Sequence, residues 1–191
     1  MRTRGNGDIA ATFSRRSVTT SVLGVGLALM FGGCVFQSTY NSMLQQQQAI
    51  EASLRTEINA QQVEIEQLKD GIRVRMSGDL LYGEGGIELT QKGIAALDKV
   101  APTLSSGSYQ IDVVGNTDNL PIGPELAVRY PTNWELAGAR ASVVVRHLQA
   151  DNVDPGSMRA ISAGQYHPVA GNDTPQGRAQ NRRTEILLRP R

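Results

Sequence analysis

Two charged residues in this sequence sit where their charge needs a partner. A helix is expected from Asn133 to Ala150, opened by Thr132-Asn-Trp-Glu135 in capping-box spacing. At about 100° per residue, Leu136, Val143, Val144, Val145 and Leu148 form a broad apolar arc. Glu135, Ser142, Arg146 and Gln149 fall on the solvated side, whereas Arg140 and His147 project within the arc. An unpaired buried guanidinium is very costly, so Arg140 must meet an anion, either a protein carboxylate or a ligand. His147 reads as a packed imidazole. The natural carboxylate partner is Asp118, in Gly115-Asn-Thr-Asp-Asn119 at the end of an expected strand. Loops leaving a sheet are common binding positions, and Asn-Thr-Asp-Asn is equally ordinary turn chemistry.

Two further clusters could join that pair. Arg178-Ala-Gln-Asn-Arg-Arg183 places three arginines before the last expected strand, with Asn181 able to tie down backbone. Tyr82-Gly-Glu-Gly-Gly86 is glycine-rich but lacks the Lys-Ser/Thr of a phosphate loop. Metal chemistry has little to work with: one cysteine and two histidines twenty positions apart offer no Cys/His ligand set. Neither a metal nor any other cofactor is expected. A net charge of +1 over 191 residues excludes a broad nucleic-acid-binding field.

The elements that must position these residues alternate. Strands are expected at Ile72–Met76, Tyr109–Val114, Met158–Ala163 and Thr184–Arg189. Helices are expected at Thr90–Leu104, Asn133–Ala150 and, briefly, Pro175–Gln180. This βαβαβ-(α)-β order predicts an α+β, two-layer sandwich with helices on one sheet face, spanning residues 71–191.

The preceding residues read as a leader and a stalk. Arg2, Arg4, Arg15 and Arg16 precede an apolar run from Val22 to Phe31, then Phe31-Gly-Gly-Cys34. This predicts a secretory signal over residues 1–33. Its end resembles a bacterial lipobox, which implies acylation of Cys34, with palmitate among the chains, as the first residue of the mature protein. Ser14-Arg-Arg-Ser-Val18 also resembles a twin-arginine export signal. Residues 1–33 hold four arginines and one aspartate, so cleavage leaves a mature chain of net charge −2. From Ser38 to Asp70 there is no Pro or Gly. Leu54, Ile58, Ile65, Leu68 and Ile72 recur on a 4-7-3-4 spacing which, with Gln61 at the missing position, is a seam of alternating threes and fours. The expectation for residues 34–70 is a lipid-anchored helical stalk. Its stripe either forms a coiled coil, giving a homo-oligomer through residues 38–72, or packs on the following domain.

Three ordered segments carry a family resemblance: Val113-Val-Gly-Asn-Thr-Asp-Asn119, Tyr130-Pro-Thr-Asn-Trp-Glu-Leu-Ala-Gly-Ala-Arg-Ala141 and Gly177-Arg-Ala-Gln-Asn-Arg-Arg-Thr-Glu-Ile186. They resemble the signatures of the OmpA-like carboxy-terminal domain, the peptidoglycan-binding module also found in MotB and peptidoglycan-associated lipoproteins. The resemblance covers roughly Gly71 to Arg189. It implies a non-catalytic pocket for the diaminopimelate of peptidoglycan stem peptides. Asp118 would hold the ligand ammonium and Arg140 its free carboxylate, by paired charge-assisted bonds. Thr117, Asn133 and Leu136 match pocket-lining positions. Tyr82 and Gly83 fall where the first-strand loop contributes, and Asn181 and Arg182 match the closing motif as supports. Asn116 replaces the family's usual histidine.

The expected function is an outer-membrane lipoprotein that tethers the membrane to the cell wall and faces the periplasm. Val35 after the cysteine favours outer-membrane sorting over the inner-membrane retention that Asp would signal. The alternative is an envelope-complex scaffold dominated by coiled coil and lipid. A MotB-like stator is disfavoured because Val22–Phe36 contains no acidic residue for proton transfer. Catalysis is not expected, since a carboxylate beside a guanidinium is a poor base.

Overall fold

A computed structural model describes residues 40–83, 85–107 and 109–191. The expected signal, the lipobox and Cys34 lie outside the described residues. Residues 40–191 form one compact unit. Its elements are α1 (residues 40–53), α2 (Arg55–Asn59), β1 (Val63–Leu68), β2 (Gly71–Ser77), α3 (Gly78–Leu81), α4 (Gln91–Ser106) and β3 (Tyr109–Asn116). Then come α5 (Pro124–Ala127), α6 (Asn133–Ala150), β4 (Met158–Gly164), α7 (Pro175–Asn181) and β5 (Arg183–Pro190).

The five strands form one sheet in the order β1-β2-β5-β3-β4. All neighbouring pairs are antiparallel except β3 and β4, which are parallel. Parallel neighbours need a crossover, and α6 supplies it. Period-two alternation divides the sheet faces. Ile72, Val74, Met76, Ile111, Val113, Ile186 and Leu188 are buried on the helix-covered face, with Leu97, Val100 and Leu104 of α4 and Val144 and Leu148 of α6. The other face is a ladder of ion pairs. Glu66 meets Arg73 at 2.8 Å, Glu64 meets Arg75, and Asp112 takes a two-pronged contact from Arg159 at 2.6 and 2.8 Å. Opposite charges on directly facing strands reinforce the register that the buried face already sets.

Both long helices start where the sequence says. Thr90 Oγ1 accepts from Gly93 N to cap α4, and Thr132 and Glu135 complete the capping box of α6. Gly115 lets α6 lie directly on β3, because a Cβ there would fall far inside the contact distance of the Ala137 carbonyl oxygen.

The expected helix over residues 38–70 is corrected by the structure. Helical residues end at Asn59, Gln61 takes a positive φ of 58°, and Val63–Leu68 is a strand. The heptad seam there overlaps a second pattern, Val63-Glu-Ile-Glu-Gln-Leu68, which alternates with period two. That pattern prevails because β1 folds onto β2 through a tight turn and gains a facing arginine for each glutamate. Ile65, Leu68 and Ile72 therefore belong to a hairpin. Upstream, Ile50 and Leu54 enter the hydrophobic core, so this part of the stripe packs on the domain. Among the described residues, no helix is long and apolar enough to cross a membrane.

Candidate functional site

The charged residues singled out above meet at one end of the sheet. There β2 and β3 finish and β5 begins, since Ser77 and Asn116 both register with Arg183. A cleft of about 520 Å³ opens at this end, lined by Gly78, Asp79, Tyr82, Gly83, Gly85, Arg140 and Arg182.

Arg140 is carried by the middle of α6 and is only 9% exposed. Its Nε and Nη2 donate to the Gly86 carbonyl at 3.1 and 2.9 Å, and its guanidinium lies 4.9 Å from the Tyr82 ring centroid. No carboxylate among the described residues comes within 4.0 Å of it. Burial lowers its pKa; the Tyr82 hydroxyl opposes this, Arg182 adds to it, and Asp118 and Asp79 oppose it. Among the described residues, the guanidinium is engaged by a carbonyl dipole and an aromatic face.

Asp118, 7% exposed, does not pair with Arg140. Its Oδ2 accepts from Arg182 Nη1 at 3.0 Å, and its Oδ1 accepts from Leu120 N at 3.1 Å. Arg182 also reaches Asp79 at 3.5 Å. The arginine expected as a support thus lines the cleft itself and links both carboxylates.

Tyr82 is buried beneath the cleft. Its hydroxyl donates to the Arg140 carbonyl at 3.2 Å and shares a 2.7 Å bond with Thr184 Oγ1. Burial pushes its pKa up to about 12, against the Thr184 bond and the Arg140 charge. Gly83 is an exposed cleft residue whose N–H donates to Glu88 O.

The remaining expected residues stand around the cleft. Asn181 is fully buried and makes four bonds: Oδ1 accepts from Val169 N and Ala170 N, while Nδ2 donates to Ala170 O and Asn172 Oδ1. It pins the loop after β4, a supporting role. Asn133 Nδ2 donates to Leu120 O at 3.1 Å and Gln165 Oε1 at 2.7 Å, joining the loops after β3 and β4. Leu136 is buried under that end of α6. Thr117 N donates to Gly164 O, whereas its buried Oγ1 has no partner among the described residues. Asn116 is buried and bonds within its own strand, to Val114 O at 3.3 Å, so the turn stands without the histidine.

Asp79 and the Gly86 carbonyl were not anticipated. Ser77 gave the signal for the first: its Oγ accepts from Leu80 N, starting a helical turn immediately after β2 and setting Asp79 at the cleft mouth. His147 also differs from a packed imidazole. Its Nε2 lies 2.8 Å from Asp98 Oδ1 and 3.4 Å from Asp151 Oδ2, clamping α4 to α6. Among the described residues, this trio is the group whose spacing could hold a metal ion.

Comparison with known proteins follows the same outline. The OmpA family matches residues 81–182, more than half of the chain. The cell wall anchor of the T6SS from Pseudomonas aeruginosa superposes with a TM-score of 0.68 at 34% identity, over 74% of this chain and 97% of that one. The probable lipoprotein YiaD of Escherichia coli is 31% identical over 141 residues, 73% of this chain and 61% of its own length. The peptidoglycan-binding protein ArfA of Mycobacterium tuberculosis is 31% identical over 63% of this chain and 35% of its own length. The chain thus spans less than two thirds of these curated relatives. With the family model matched over more than half of its length, the chain belongs to the OmpA family.

Proposed function

We propose that this protein binds peptidoglycan non-covalently through the diaminopimelate of its stem peptides. The carrying observation is Arg140: a nearly buried guanidinium at a cleft, with no carboxylate among the described residues close enough to neutralise it. The free end of diaminopimelate is a zwitterion. Its carboxylate suits Arg140 and Arg182, and its ammonium suits Asp118, with Asp79 at the mouth. Names among the relatives support the reading, since ArfA is called peptidoglycan-binding and the Pseudomonas protein a cell wall anchor. Among its described residues the same cleft offers no nucleophile with its base, so the reading is binding without catalysis.

The finer proposal is a lipoprotein acylated at Cys34, facing the periplasm and tethering the outer membrane to the wall. A single acyl chain holds a membrane only marginally, so durable anchoring calls for several. The likeness to YiaD, named a probable lipoprotein, supports it. A second reading rests on the likeness to the T6SS anchor, which covers nearly all of that chain: the protein serves as the wall-binding part of a larger envelope assembly.

Co-sedimentation with purified peptidoglycan tests the cleft. Wild type should pellet, and Asp118→Ala and Arg140→Ala should largely stay in solution; equal pelleting of all three would overturn the reading. Palmitate labelling tests the anchor: Cys34→Ala should abolish it, and persistent labelling would refute acylation there.

A further inference from the structure

The described residues include six large hydrophobic side chains that are conspicuously exposed, and four of them, Leu120, Trp134, Tyr166 and Val169, lie on the loops after β3 and β4 and the first turn of α6. Two of these are organised. Trp134 and Tyr166 stack with ring centroids 5.0 Å apart and planes inclined by 27°, yet they remain 46% and 59% exposed. A stacked pair needed only for stability would be expected to hide its faces; this one is held up to solvent.

Its mounting is rigid. The Trp134 ring packs on Gly164, which has a positive φ of 54° and where a Cβ would press within 3.2 Å of the indole. Ser162 Oγ donates to the Trp134 carbonyl at 2.7 Å. The pair is also continuous with the cleft through a chain of hydrogen bonds. Arg182 holds Asp118, Asp118 holds Leu120 N, and Asn133 holds both Leu120 O and Gln165 beside Tyr166. Gln165 and the exposed His167 adjoin Tyr166 in the chain, and His167 lines the same hollow as Trp134.

We propose that Trp134 and Tyr166 form a sugar-stacking platform for a pyranose ring of the glycan strand whose stem peptide occupies the cleft. The proposal rests on the peptidoglycan reading and adds a second ligand part to it. A pyranose in its chair form turns a patch of C–H bonds outward, whose partial positive charge suits the negative face of an aromatic ring. The flanking amide and imidazole can bond its hydroxyls. A stem peptide extends by about 3.3–3.6 Å per residue, so a few residues separate a bound diaminopimelate from the sugar by roughly 10 Å. That is the scale of a neighbouring loop rather than of a second domain.

Trp134 is the only tryptophan in the chain, so its fluorescence reports directly on the platform. The full-length protein would be titrated with a disaccharide muropeptide and, separately, with the same stem peptide lacking sugar. The muropeptide should bind roughly three- to tenfold tighter and change the Trp134 emission, while the free peptide binds without that change. Tyr166→Ala, which keeps the probe, should abolish the difference and leave free-peptide affinity unchanged. Equal affinity for the two ligands, or an unaltered preference in Tyr166→Ala, would overturn the platform while leaving the cleft intact. Binding of the muropeptide, with no binding of free peptide, would support the platform and refute the cleft. Binding of neither ligand would refute both.

Discussion

Arg182 Nη1 donates to Asp118 Oδ2 across 3.0 Å, so the carboxylate that closes β3 is engaged by a cation from the start of β5. The pair spans 64 residues of chain and exists only because the two strands lie side by side at that end of the sheet. Without Arg182, the buried carboxylate would keep one backbone N–H and lose its counter-charge. Arg182→Ala should therefore cost about 1–2 kcal/mol of stability at neutral pH, discounted for the partial exposure of the arginine. Asp118→Asn in the same background should recover part of the loss, giving a coupling near 1 kcal/mol in a urea-denaturation cycle. Additive losses would show the contact to be energetically idle.

Gly115→Ala should be among the costliest small substitutions. The added methyl collides with the Ala137 carbonyl and levers α6 away from β3. Overpacking of this kind costs about 3 kcal/mol, and it would displace Arg140 three positions farther along the same helix. Both the denaturation midpoint and peptidoglycan pelleting should fall.

Asn181→Ala should separate support from ligand contact. Four bonds to residues 169–172 disappear, for a loss of about 3 kcal/mol and faster amide exchange or proteolysis in that loop. At temperatures where the variant stays folded, binding should be little altered. A large binding defect in a fully folded variant would place Asn181 in the site itself.

Sequence reading reached the long helices and four strands because each carries its own periodicity and caps, Thr90 and Thr132 among them. Arg140 was legible because a guanidinium within an apolar arc violates local logic. What escaped depended on register. Nothing near Asp118 in the chain points to Arg182, so Arg140 looked like its partner. β1 escaped for another reason: Leu54, Ile58, Ile65 and Leu68 satisfy a heptad, while Val63 and Ile65 also satisfy an alternating strand. Only the facing arginines of β2 decide between the two, and they lie outside any local window.

High pH should expose the burial of Tyr82. Its folded pKa is raised from 10.0 to about 12, so between those values the unfolded chain loses a proton that the folded chain keeps. Folded protein then binds more protons, and stability falls as pH rises through this window, by roughly 3 kcal/mol from this residue at the upper end. Tyr82→Phe should start about 1 kcal/mol less stable at pH 8, because it loses its bond to Thr184, and then decline less steeply above pH 10. Parallel slopes in urea denaturation from pH 8 to 12 would contradict the assignment.

Truncation should distinguish an integral hairpin from a detachable stalk. Met43, Ile50, Leu54 and Val63 are buried, and each contributes about 1.5–3 kcal/mol. A chain beginning at Gly71 should be less stable than one beginning at Tyr40 by several kcal/mol, offset in part by chain entropy. Matching denaturation midpoints would restore the stalk.

The antiparallel pairing of β1 with β2 has a mechanical consequence. Val63 opposes Met76, and Ser77 N donates to Gln62 O at 2.9 Å, so the chain enters the sheet at the end where the cleft opens. If tension runs from a lipid at Cys34 to a wall peptide in the cleft, it crosses this one edge contact and the short link to Tyr82. It need not run the length of the sheet. The load would then reach the proposed binding residues along a short path, with Ile50 of α1 and the adjoining Leu54 seated in the core as the upstream hold on the chain.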